Sequence, residues 1–220
     1  MIRSSTLQFL EDLSANNNRE WFQQNKSRYQ HAREDVIVFA QSAIKSLSAI
    51  DRSVPADLNP EDCVMRIYRD IRFSKDKTPY KTNFAIAISE RGKNFDGPGY
   101  YIHIAPGNSF IGGGAWYPEK EKLKAIRQEI DYNGDEFLEI IKSSDFTTHF
   151  GDLDMEGKLR TAPKGYPSDH PMIEFLKLKS FVAARAISDE ELQDKNLERN
   201  VTDTFAKLYP LIVFLRNAIS

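Results

Sequence analysis

The chain has 220 residues, of which 40% are hydrophobic, 11% aromatic and 28% charged, and its 30 Lys and Arg against 32 Asp and Glu give a formal net charge of −2. That is enough apolar material for a substantial core in one large domain or two small ones. The single cysteine, Cys63, excludes an internal disulfide, the segment MIRSSTLQFLEDLS has no apolar leader, and no apolar run approaches the roughly 20 residues that cross a bilayer, so a cytoplasmic protein is expected.

Leu7, Phe9, Leu10 and Leu13 predict a short helix with Ser4 or Ser5 as its cap, broken by Asn16, Asn17 and Asn18. A long helix follows, with Trp21/Phe22, Tyr29, Ala32, Val36, Phe39/Ala40, Ala43 and Leu47 on one stripe and Trp21 in the core. The period then changes. Met65, Ile67, Ile71 and Phe73 alternate with polar residues, as do Phe84, Ile86 and Ile88, and Tyr100, Ile102 and Ile104. Pro106-Gly107-Asn108 marks a turn into a fourth strand, Ser109 to Ile111, ended by Gly112-Gly113-Gly114. The triglycine reads as a tight bend where two backbones approach. Helices return after Pro118, with Leu123, Ile126 and Ile130 on one and Phe137, Leu138, Ile140 and Ile141 on the next. Phe181 to Ile187 reads as a fifth strand. Ser188-Asp189-Glu190-Glu191 is a capping box, and a last helix runs from Leu197 to Leu215, kinked or restarted at Pro210. The fold expected is α+β: an antiparallel sheet of about five strands packed with N-terminal and C-terminal helices.

Chemistry concentrates in one stretch, RIYRDIRFSKDKTPYK, from Arg66 to Lys81. Its six cations (Arg66, Arg69, Arg72, Lys75, Lys77, Lys81) face two acids, Asp70 and Asp76, for a local balance of +4 in an acidic chain. Such an island is a candidate anion site. Strand alternation sends Arg66, Tyr68, Asp70 and Arg72 to one face, with Tyr101 and His103 on the same face two strands away. Between them lie only Ala85, Ala87 and Ser89. The expected product is a trough floored by alanines, with Lys75, Lys77 and Lys81 in the loop at its end. Arg69 falls on the core side and needs a partner or a bulge.

The ligand-binding candidates are therefore Arg66, Tyr68, Arg72, Lys75, Lys77, Lys81 and Tyr101, with His103 and Asp70 as the groups that could move a proton. Other chemistries fare worse. His31, His103, His149 and His170 lack metal-ligand spacing, so no metal is expected. Asp152 to Gly157 opens like a calcium loop, but Pro163 stands where the bidentate Glu belongs. Glu61 and Asp62 beside Cys63 oppose thiolate chemistry.

Several motifs together resemble the family catalogued as domain of unknown function 2461. They are NNNREWFQQNKSRY (16–29), YRDIRFSKDKTPYKTN (68–83), GPGYYIHI (97–104), GGGAWYP (112–118), PKGYPSDHP (163–171), SFVAARAISDEEL (180–192) and YPLIVFL (209–215). The resemblance covers nearly the whole chain. It implies one α+β domain, residues 1–220, and brings no established activity, cofactor or catalytic residue.

The expected function is binding of a compact phosphorylated or carboxylate ligand through the basic stretch. An enzyme using the same trough is the alternative, and a protein-interaction domain presenting the basic face to an acidic partner is a third. Nucleic acid fits less well, because the isoelectric point is about 6.1. No membrane partner is expected, and the sequence names no cofactor.

Overall fold

The computed structural model describes residues 1–220. Leu7, Phe9, Leu10 and Leu13 recur at helical spacing and are all buried from α1 (Ser4–Ala15). The cap of α1 is not a serine. Arg3 occupies the cap position without a side-chain bond, and the buried Asp35 takes over that task from α3 (Lys26–Ser48), accepting from the Arg3 N–H at 2.9 Å and the Thr6 hydroxyl at 2.7 Å. The long helical stripe is divided at Asn25 into α2 (Arg19–Gln24) and α3. Asn18 caps α2, accepting from the Trp21 N–H.

Four strands form one antiparallel sheet in the order β1 (Phe84–Ile88), β2 (Gly99–Ile104), β3 (Ser109–Ala115) and β4 (Phe181–Ile187). The fold is α+β, with four strands where the alternation suggested about five. Between β3 and β4 come α4 (Lys120–Tyr132), α5 (Gly134–Lys142), α6 (Ser144–Phe150) and α7 (Ile173–Leu176). After β4 come α8 (Asp189–Gln193), with the capping box formed by Ser188 and Glu191, and α9 (Leu197–Ala218), which carries Pro210 inside it. No helix is long and apolar enough to cross a membrane.

The chain makes two compact units. The first comprises Met1–Phe95, Tyr101–Ile111 and Ala186–Asp203. Its core includes an aromatic group built on Phe22, whose ring stacks on Tyr80 at 3.9 Å and meets Tyr29 at 5.1 Å and Phe9 at 6.5 Å. Trp21 is only half-buried, stacking on Phe9, with the Arg28 guanidinium 6.0 Å from its ring. The second unit comprises Asp96–Tyr100, Gly112–Arg185 and Thr204–Ser220. There Phe137 packs against Phe175 and Phe214, each at 5.3 Å. Full burial of one such ring contributes on the order of 2 to 3 kcal/mol. The triglycine lies within β3, not after it. A Cβ on Gly114 would stand 2.0 Å from the Phe181 carbonyl oxygen, and one on Gly113 2.6 Å from that of Gly99. Close backbone approach is therefore the reason for glycine here.

Candidate functional site

The basic stretch does not form the expected strand. Backbone pairing is confined to two short places. At the first, the Met65 N–H donates to the Ala85 carbonyl and the Ala87 N–H to that of Cys63, beside β1. At the second, the chain folds back on itself. The Arg69 N–H donates to Pro79 and the Lys81 N–H to Ile67, with Tyr68 bridged to Tyr80. Residues 70–78 are the loop of that fold-back. Its turns are closed by side chains: Asp70 accepts from the Arg72 N–H, and Asp76 from the Thr78 N–H at 2.9 Å. These carboxylates offer the backbone an alternative to a ladder, which is why the apolar alternation misleads. Val64 and Ile67 are buried, whereas Phe73, expected in the core, is 95% exposed.

The fold-back consumes several candidate ligand groups. Arg69 finds its partner within the loop, donating to the Asp76 carboxylate, the Thr78 hydroxyl and the Thr78 carbonyl. Arg72 makes a bidentate pair with Asp70 at 3.0 and 2.7 Å. The Lys77 ammonium donates to the Ile71 carbonyl at 2.9 Å. Tyr68 is half-exposed, with its ring against Phe22 and Tyr80. Arg72, Lys75, Lys77 and Tyr68 thus belong to the loop and its base, and nothing places them in a trough. Asp70 is exposed, and its bond to Arg72 holds its carboxyl below the usual range, which suits an ion-pair partner and not a proton carrier.

The outer face of the sheet assembles differently. Tyr101 and His103 leave β2 on the side opposite the buried Tyr100, Ile102 and Ile104. Phe110, which the sequence reading passed over, stacks on the His103 ring at 4.7 Å with 7° between planes and lies 5.7 Å from Tyr101. Its position between the inward Ser109 and Ile111 was the available sign. The Tyr101 hydroxyl stands 3.4 Å from His103 Nδ1. Ala87 is half-buried and Ala85 buried, while the Ser89 hydroxyl turns away to the Gly92 carbonyl. The floor is shorter than expected.

Arg66 and Lys81 bring charge to this face. Burial and the neighbouring Arg66 cation lower the Lys81 pKa. Burial and the Lys81 cation lower that of His103, and burial raises that of Tyr101. The three basic groups therefore form a chain of neighbours, Arg66–Lys81–His103. Neither the Arg66 nor the Lys81 side chain has an ion pair or a hydrogen bond. Arg28 is matched with Asp12, Arg33 with Glu61 and Arg3 with Asp35, whereas Arg19, Arg52 and Arg91, like Arg66, make no ion pair. Asn17 fixes the segment in place. Its side-chain amide donates to the Tyr80 carbonyl at 2.9 Å and its oxygen accepts from the Tyr80 N–H at 3.1 Å, as a strand neighbour would.

Other reactive groups are committed elsewhere. Cys63 is fully buried, and burial pushes its thiol up to about 11. His170 uses both nitrogens, bonding Asp131 at 2.8 Å and the Met172 N–H at 3.1 Å. An open depression beside α8 is lined by Glu190, Glu191, Asp194, Arg199 and Asp203. Its acid excess suits a cation better than the ligand expected here.

The family described as conserved hypothetical protein, DUF2461, matches residues 5–214. The chain belongs to that family. No curated protein matches it, and no solved structure does.

Proposed function

We propose that this member of the DUF2461 family binds a compact phosphorylated or carboxylate ligand on the outer face of β1 and β2, at Arg66, Lys81, Tyr101 and His103. One observation carries the reading: two adjacent cations, one of them half-buried, make no ion pair, and the Asp70 carboxylate that neighbours Arg66 is already held by Arg72. Unmatched like charges repel, and the cost rises where water is excluded. A bound anion removes that cost. The Tyr101 hydroxyl can donate to an anion oxygen, and Phe110 with His103 offers a flat apolar wall. Cytoplasmic residence is part of the same reading, since the only thiol is buried and unpaired.

A thermal-shift screen against nucleotides, sugar phosphates, carboxylates and polyphosphates tests it. A ligand at 100 times its dissociation constant adds about 2.7 kcal/mol, a rise of roughly 5 to 10 °C at this chain length. The expected result is a rise abolished in the Arg66→Gln/Lys81→Gln variant. A flat screen, or a rise indifferent to that variant, contradicts the reading.

The His103–Tyr101 pair favours a second reading, an enzyme acting on the anion bound there. An imidazole beside a phenol can take and return a proton. His103→Gln should then retain the thermal response to the substrate and lose turnover.

A further inference from the structure

We propose that residues 70–78 dock on an anionic lipid surface, with the Phe73 ring entering the headgroup layer and Lys75 and Lys77 against the headgroups. This goes beyond the anion site, because it uses other residues. Phe73 is 95% exposed, the highest value among the large apolar side chains of the chain. It is also the apolar apex of the loop. Only the Arg72 guanidinium approaches its ring, at 5.8 Å. Moving that ring from water into an apolar layer is favourable.

Two features select the partner. First, both carboxylates of the loop are paired within the fold-back. Asp70 is taken by Arg72, Asp76 by Arg69 and Thr78, the Thr78 carbonyl by Arg69, and the Ile71 carbonyl by Lys77. Paired acids oppose an anionic surface less than free ones would. Second, the Arg72 fork already holds the Asp70 carboxylate with two nitrogens and is not free to grip a phosphate bidentately, as nucleic-acid recognition prefers. What remains is diffuse positive charge from Lys75 and Lys77 around one apolar ring, which complements an anionic interface. The sequence expectation of no membrane partner came from the lack of a spanning segment. A single-loop surface contact needs none.

The test uses the full chain with phosphatidylcholine vesicles and phosphatidylglycerol-rich vesicles. The protein is expected to sediment with the phosphatidylglycerol vesicles only, and less so as salt rises. Phe73→Ser should weaken this by about tenfold, and Lys75→Glu/Lys77→Glu should abolish it. Arg66→Gln/Lys81→Gln should leave it in place, which separates it from the anion site. Phe73→Trp should show a blue-shifted emission over the parent protein when those vesicles are added. Because Phe73 is exposed, the Phe73 variants keep the parent melting temperature. No sedimentation overturns the proposal. So does sedimentation of the Phe73→Trp variant with its emission unshifted, or a Phe73-dependent affinity for single-stranded oligonucleotides in place of vesicles.

Discussion

Two charged residues of the first unit show opposite solutions to burial. Asp35 is 7% exposed, and its carboxylate receives the Arg3 N–H, the Thr6 hydroxyl and, at 3.5 Å, the Arg3 guanidinium. It closes the start of α1 from a different helix. Asp35→Ala leaves the buried Thr6 hydroxyl and the Arg3 N–H unpaired and is expected to cost about 2 to 3 kcal/mol in urea unfolding. Asp35→Asn, which keeps an acceptor oxygen, should recover part of that. Lys81 is the reverse case: half-buried, beside Arg66 and His103, and without an acidic partner. A half-buried cation next to a second cation is a place where a ligand's counter-charge lowers the energy.

At the scale of elements, the strands and helices whose pairing comes from backbone ladders and apolar period were legible. Phe84, Ile86 and Ile88 alternate into the core of β1, as Tyr100, Ile102 and Ile104 do in β2, and β4 spans Phe181–Ile187 as read. The stretch from Arg66 to Phe73 was not legible, because its conformation is decided by side chains distant in sequence or hidden in turn chemistry. Asp70 and Asp76 close turns inside an apparently alternating run. Asn17, read only as a helix breaker, pairs with the Tyr80 backbone from 63 positions away. The sequence reading put Arg66, Tyr101 and His103 on one face and left Lys81 in the loop at its end, because the place of Lys81 beside them depends on that fold-back. Asn17→Ala removes both bonds and is expected to cost about 1 to 2 kcal/mol. Hydrogen exchange checks it locally: the Tyr80 amide should speed up by more than the amides of β2 do.

At the scale of the whole molecule, a chain of net charge −2 gathers a +4 balance between Arg66 and Lys81 and divides it into two parts. One part is the loop, with its acids paired to its own arginines. The other is the unmatched Arg66–Lys81–His103 group at the sheet. Whether an anion occupies the second is read most directly at His103. Its pKa lies below the ordinary value of about 6.5 because burial and Lys81 disfavour the imidazolium. As pH falls the unfolded chain therefore takes up this proton first. The stability His103 contributes is present above about pH 6.5 and is lost below it. An anion against Lys81 and Arg66 reverses part of that penalty. The decisive measurement is an NMR titration of the four histidines in chloride and in saturating sulfate at equal ionic strength. Sulfate should raise the His103 pKa and leave His31, His149 and His170 unmoved, and Arg66→Gln/Lys81→Gln should remove the effect. A His103 titration identical in chloride and sulfate would contradict an anion site at this face.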